Sequence, residues 1–190
     1  IENGGANANT HANLGSALRE KLLLEQALVA LRSAIEIDPN PVNAHYQLAH
    51  TLRDRSELTE ALAEYRTVLR LRPAHANALF NMANTLKTAG EVGAAAETLR
   101  HAVRIAPEHS QAHNSLALLL EEEGKLEEAM AEYRLAIQSD PDFASPRFGL
   151  ATLLRDNGQR AEAIEQYRTI AQSGDDEFLI RVSRKILRAM

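Results

Sequence analysis

Four prolines, Pro39, Pro73, Pro107 and Pro141, stand 34 residues apart. A proline just past a helical pattern marks a boundary, because it lacks the N–H that would continue the helix. Boundaries at one fixed spacing mean that a single short unit is repeated. Numbering each unit from 1 at Ala8, Val42, Ala76, Ser110 and Ala144 brings five copies into register. Position 7 is then Leu14, Leu48, Met82, Leu116 and Leu150, and position 11 is Leu18, Leu52, Leu86, Leu120 and Leu154. Position 8 is Gly15, Ala49, Ala83, Ala117 and Ala151, and position 20 is Ala27, Ala61, Ala95, Ala129 and Ala163. Position 24 is Leu31, Tyr65, Leu99, Tyr133 and Tyr167, and position 27 is Ala34, Val68, Ala102, Ala136 and Ile170.

Each column has a size class, which is a statement about packing. Small residues at positions 8 and 20 let two helix backbones approach, and large ones at 7, 11 and 24 fill the space beside them. The fourth copy shows the internal plan. Leu116, Ala117 and Leu120 lie on one face of a first helix, and Leu126, Ala129, Met130, Tyr133, Ala136 and Ile137 on one face of a second. Gly124 ends the first helix, and Asp140-Pro141 ends the second. A helical hairpin of this size cannot bury its apolar faces alone and needs neighbours of the same kind.

The period and the small–large columns resemble the tetratricopeptide repeat (TPR) family. The resemblance covers five repeats, 8–41, 42–75, 76–109, 110–143 and 144–177. It implies an all-α, right-handed superhelical solenoid of about eleven helices, with the first helix of each pair lining the concave side. Two features depart from the family pattern. Its usual aromatic at position 4 is replaced by His11, His45, Leu79, His113 and Arg147. Its glycine at position 15 is present only as Gly90, Gly124 and Gly158, with Leu22 and Ser56 in the first two repeats.

Outside the repeats, residues 1–7 form a Gly- and Asn-rich lead that is expected to be flexible, and 178–190 form a last helix. In that helix Phe178, Leu179, Val182 and Ile186 share an apolar face opposite Arg181, Arg184, Lys185 and Arg188, after an acidic start at Asp175-Asp176-Glu177. A capping role is expected, with a basic amphipathic surface helix as the alternative. At the other end Leu22-Leu23-Leu24 is an apolar triplet at a turn. It suggests local packing, or stacking by an upstream repeat or a second copy of the chain.

Several function classes are excluded or disfavoured. There are no cysteines, which removes disulfides, thiol catalysis and Cys-based zinc sites. The net charge of -5, without a long basic run, argues against avid binding to nucleic acid or an anionic membrane. No apolar run approaches the roughly 20 residues of a membrane span. The chain opens on Ile1 rather than Met, so we expect a fragment or a processed product. A cytoplasmic location is preferred and a periplasmic one allowed. No Gly-rich phosphate loop, HExxH or Ser-His-Asp arrangement occurs, so neither enzyme activity nor a cofactor is expected. His109 and His113 are four apart, but Pro107 places His109 at or before the helix start, and no metal site is expected.

The remaining signal lies on the outer face of the first helices. Positions 2, 5, 6, 9 and 12 fall opposite the core positions on a helical projection. Amides dominate positions 2 and 6, in Asn43, Asn77, Asn13, Gln47 and Asn81. Aromatics hold position 5 in Tyr46, Phe80 and Phe148, with Asn114 in the fourth repeat. Position 9 includes His50 and Asn84, and cations hold position 12 in Arg19, Arg53, Lys87 and Arg155. An amide is both donor and acceptor and can hold a peptide backbone, and aromatics add contact area at low entropic cost. These rows predict a groove for a peptide or protein segment, tightest at the second and third repeats. Glu121-Glu122 would repel an acidic segment at the fourth.

Within the family, positions 2 and 6 resemble the asparagine ladder of TPR arms on O-linked GlcNAc transferase. The alternative functions are therefore the substrate-recruiting arm of a larger, glycosyltransferase-like enzyme, or a self-assembling scaffold joined through terminal repeats. The chaperone-tail clamp of the family is not matched. Its Lys at position 5 and Asn at position 9 meet Ala12 and Ser16, Tyr46 and His50, and Phe80 and Asn84 here, and only Asn81 with Asn84 echoes it, without the cations.

Overall fold

The computed structural model describes residues 7–38, 41–172 and 176–189. Most of the expected lead, Pro39, and Asp175 in the acidic start therefore lie outside the described residues. The described residues form eleven α-helices. They are α1 (Ala8–Glu20), α2 (Leu24–Ile37), α3 (Val42–Asp54), α4 (Leu58–Leu71), α5 (Ala76–Thr88), α6 (Val92–Ile105), α7 (Ser110–Glu122), α8 (Leu126–Ser139), α9 (Ala144–Asp156), α10 (Arg160–Gln172) and α11 (Glu177–Ala189). The odd helices α1 to α9 begin at the first position of each repeat.

Two compact units divide the chain after Thr98, within α6. In the first, α1 packs on α2, α2 on α3, α3 on α4 and α4 on α5. Its core joins Ala12, Leu28, Leu31 and Ala34 to Ala44, Leu48, Leu52 and Ala61, and a second cluster gathers Ala49, Tyr65, Val68 and Ala78. In the second unit α7 packs on α8, α8 on α9, α9 on α10, and α11 on α10 and α9. The position-8 and position-20 alanines are fully buried wherever they occur, from Ala49 and Ala61 to Ala151 and Ala163. That is what close backbone approach requires.

One turn geometry closes the first helix of every repeat. The position-15 residue is left-handed in all five: Leu22 at φ 59°, Ser56 at 65°, Gly90 at 83°, Gly124 at 74° and Gly158 at 77°. The next N–H reaches back to the position-11 carbonyl each time, as in Leu23 to Leu18, Glu57 to Leu52 and Lys125 to Leu120. This is a Schellman closure, and glycine suits it because it has no Cβ to clash. Leu22 and Ser56 adopt the same turn against a steric cost of roughly 1–2 kcal/mol. Tertiary packing thus overrides the missing glycine.

Position 4 shows why the family's aromatic can be absent. Its polar side chain ties the first helix to the second of the same repeat. His45 Nδ1 pairs with Glu64, His113 Nδ1 with Glu132 at 2.6 Å, and Arg147 donates to Gln166 Oε1 at 2.9 Å. His113 also contacts the Pro107 carbonyl through Nε2, and Arg147 donates to the Pro141 carbonyl. The hydrogen bond to Glu132 raises the His113 pKa against the opposing effect of burial. His109 lies at the α7 N-cap, where its Nδ1 accepts from Ala112 N–H.

The ends depart from the column pattern. At position 7, Leu48, Leu116 and Leu150 are at most 4% exposed, whereas Leu14 is 50% exposed. Positions 3 and 10 behave alike. Ala44, Ala78 and Ala112 are buried, as are Thr51, Thr85 and Leu119, but Thr10 and Ala17 of α1 are exposed. Positions 3, 7 and 10 form the helix face that a preceding repeat covers, as α2 covers α3. On α1 nothing among the described residues covers it, and Leu22 is 80% exposed beside it. At the far end, α11 begins one residue before the expected 178 and is capped by Asp176, whose Oδ1 accepts from Leu179 N–H. Ser183 is fully buried, Phe178 is 62% exposed, and Arg181 sits 5.9 Å from the Phe178 ring centre.

Candidate binding face on the first helices

In the first unit the face carries a continuous polar network across α1, α3 and α5. Arg19 Nε donates to Asp54 Oδ2 at 2.7 Å, and Arg53 donates to Asp54 Oδ1 at 3.2 Å. Arg53 also donates to Asn81 Oδ1 at 3.2 Å. Asn81 Nδ2 then donates to Tyr46 Oη at 3.0 Å and to the Asn77 carbonyl at 2.8 Å. The chain Arg19–Asp54–Arg53–Asn81–Tyr46 therefore links three successive repeats. Burial alone would raise the Asp54 carboxyl, but the hydrogen bonds and charges of Arg19 and Arg53 hold it below its usual range.

An aromatic cluster lies beside this network. The Tyr46 ring stands edge-on to His50 at 4.5 Å between centres and to Tyr65 at 6.2 Å, and leans on His75 at 5.0 Å. His50 in turn meets Tyr65 edge-on at 5.8 Å. Burial, reinforced by the charges of Arg53 and Arg19, lowers the His50 pKa to about 4, so its ring is neutral near pH 7. Three polar atoms here are enclosed and have no hydrogen-bond partner: Gln47 Oε1, His50 Nδ1 and Tyr65 Oη. At the start of α3 a polar cleft of about 330 Å³ opens between Asn9, Asp38, Asn43, Tyr46, Arg72 and His75.

The second unit has a different face. Tyr133 Oη donates to Glu121 Oε2 at 2.8 Å, so the acid at position 12 has an internal partner. Asn114, expected as an exposed groove residue, is only 8% exposed, with its Oδ1 enclosed and unpartnered. Phe148 packs edge-on against Tyr167 at 5.7 Å, and the Tyr167 hydroxyl meets Thr152 Oγ1 at 3.0 Å. Arg155 pairs with its neighbour Asp156 at 2.7 Å. Gly149 at position 6 stands where the other repeats have an amide or a serine. A Cβ there would lie 2.5 Å from Tyr133 Cζ.

Among the expected groove residues, Tyr46, His50, Arg53 and Asn81 come together in one place, while Asn13, Asn43, Asn77 and Lys87 are exposed along the same helices. Gln47, Phe80 and Asn84 are half-buried. Sequence reasoning missed Tyr65, Tyr133 and Tyr167, which it assigned wholly to the core. The available signal was the hydroxyl itself, since a buried tyrosine must aim its polar tip at something. It also missed that the acids at position 13, Asp54 and Asp156, neutralise the cations beside them. Among the described residues no three His, Asp or Glu side chains are grouped to hold a metal, and no helix is long and apolar enough to cross a membrane.

Comparison with known proteins places these features in context. Family models described as tetratricopeptide repeat match residues 8–41, 80–142 and 120–181, and one described as TPR repeat matches 49–90. No curated protein sequence matches the chain. Among solved structures, pilF of Pseudomonas aeruginosa superposes with a TM-score of 0.81 at 25% identity, covering 96% of this chain and 87% of its own. MamA from Desulfovibrio magneticus RS-1 gives 0.75 at 20% identity, over 95% and 97%. YrrB, described as a TPR protein with an unusual peptide-binding site, gives 0.71 at 21% identity, over 97% and 95%.

Proposed function

The chain belongs to the tetratricopeptide repeat family, and from that premise we propose that it is a non-catalytic interaction module. It holds a peptide or an extended protein segment on the face of α1, α3 and α5. The network from Arg19 to Tyr46 carries this reading. Long polar side chains on a bare solvated face sample many rotamers, and ordering them on binding costs about 0.5–1.5 kcal/mol each. Here the arginines and Asn81 are already held, so the cost falls on folding rather than on association. Half-buried Tyr46 and Phe80 add apolar contact area, and Asn43 and Asn84 are placed to meet backbone amides and carbonyls.

The test is peptide selection by phage display on the whole chain, followed by calorimetry of the selected peptides. Substituting Phe80→Ala with Asn84→Ala should weaken binding at least tenfold while circular dichroism shows the variant still folded at the binding temperature. Selected peptides that bind this variant as well as the parent would refute a groove on these helices.

A second reading, self-association, has its own observation. The α1 face at Thr10, Leu14 and Ala17 is uncovered where its equivalents in α3, α5, α7 and α9 are buried at most of these positions. Leu22, strained and 80% exposed, adjoins it. Light scattering across a concentration series should show mass growth that Leu14→Glu abolishes. A constant monomer mass at high concentration would rule this reading out.

A further inference from the structure

We infer that the groove of the second repeat receives the carboxylate of an acidic side chain, taken up beside Tyr65, His50 and Arg53. The inference rests on the reading of α1, α3 and α5 as a peptide groove and adds the chemistry of one ligand residue. Three repeats carry tyrosine at position 24, each fully buried: two aim the hydroxyl at position 9 or 12 of the first helix, and the ring of the third lies edge-on to position 9. In the fourth repeat the hydroxyl of Tyr133 donates to the position-12 carboxylate of Glu121. In the fifth, the hydroxyl of Tyr167 meets the position-9 hydroxyl of Thr152. In the second, Tyr65 is 0% exposed and its hydroxyl has no partner.

The residues at positions 9 and 12 of that repeat explain the difference. Arg53 has only donors. His50 Nδ1 is itself enclosed and unpartnered. A buried hydroxyl without an acceptor is unfavourable, and an unpartnered ring nitrogen on the neighbouring aromatic adds to the cost. A ligand carboxylate would supply there what Glu121 supplies internally in the fourth repeat. It can accept from Tyr65 O–H and from His50 N–H, and it faces Arg53 and Arg19, two guanidiniums that share the single carboxylate of Asp54. Asp54 is the opposing charge, and Tyr46 and His75 complete the surroundings. Entry requires the half-buried His50 ring to turn away from Tyr46. In the free protein burial and the charges of Arg53 and Arg19 keep His50 neutral, with the Asp54 carboxylate acting weakly against them.

Two fluorescent pools of acetylated, amidated pentapeptides test this, one with central glutamate and one with central glutamine, the four flanking positions randomised in both. The parent should bind the glutamate pool at least tenfold more tightly. NMR titration of His50 should show its pKa rising by about one unit or more in the complex. Tyr65→Phe should erase the preference for glutamate while leaving the urea midpoint unchanged or raised, because it removes a hydroxyl without a partner. Tyr133→Phe, which removes a hydroxyl that has one, should lower the midpoint. Equal binding of the two pools overturns the carboxylate site and leaves the groove reading standing. Binding of neither pool overturns both. A glutamate preference that survives Tyr65→Phe overturns the role of Tyr65.

Discussion

Gly149→Ala destabilises the unit that follows Thr98 by about 1–3 kcal/mol, the cost of overpacking a filled site. The sign is the informative part, because glycine to alanine within an α9-like helix ordinarily gains about 1 kcal/mol. Gly149 lies inside α9, and an alanine Cβ there would stand 2.5 Å from Tyr133 Cζ and 2.8 Å from its Oη. The ring cannot retreat easily, since Tyr133 is only 1% exposed and its hydroxyl is held by Glu121. Combining the change with Tyr133→Leu removes the obstacle, and the third repeat shows that leucine is accepted in that column at Leu99. The double variant should therefore be more stable than the sum of the two single losses, a coupling expected of residues in contact. Urea unfolding followed by circular dichroism measures all four proteins. A stabilised Gly149→Ala would show that the ring has room to move.

Leu116→Ala and Leu14→Ala should differ several-fold although both alter position 7. Leu116 is 2% exposed, and truncating a buried leucine costs about 2–5 kcal/mol through lost transfer energy and the cavity left behind. Leu14 is 50% exposed, half its surface is already in water, and its loss should cost less than about 1 kcal/mol. The same melts decide the matter. Equal losses would mean that the α1 face is covered in solution, which would itself favour self-association.

The comparison separates two kinds of legibility. Features set by local rules were readable. Helix starts, the glycine turns at Gly90, Gly124 and Gly158 and the small–large columns depend on periodicity, on backbone conformation and on side-chain volume, and all are visible in one chain, whereas the same turn at Leu22 and Ser56 is not. The pairing of position-4 histidines across the hairpin, His45 with Glu64 and His113 with Glu132, was not legible, because each acid lies on another helix. The candidate face was readable only as rows. A row says which residues share a side of a helix and nothing of what each meets across the gap. Arg53 and Asn81 were expected as separate contacts for a ligand, yet they bond to one another and to Asp54 and Tyr46. Asn114 was expected to be exposed, yet it is buried.

What the sequence by itself determined is the repeat, its five copies and the helical hairpin each copy makes, because those follow from spacing and size. What only the tertiary structure decided is the fate of atoms whose partners lie on another helix. Three tyrosines look identical in their column, yet Tyr133 finds a carboxylate, Tyr167 a hydroxyl and Tyr65 nothing. The physical reason is that burial follows from volume and local pattern, whereas a hydrogen bond needs a specific acceptor within about 3 Å. That acceptor belongs to a residue elsewhere in the chain, and folding alone brings the two together.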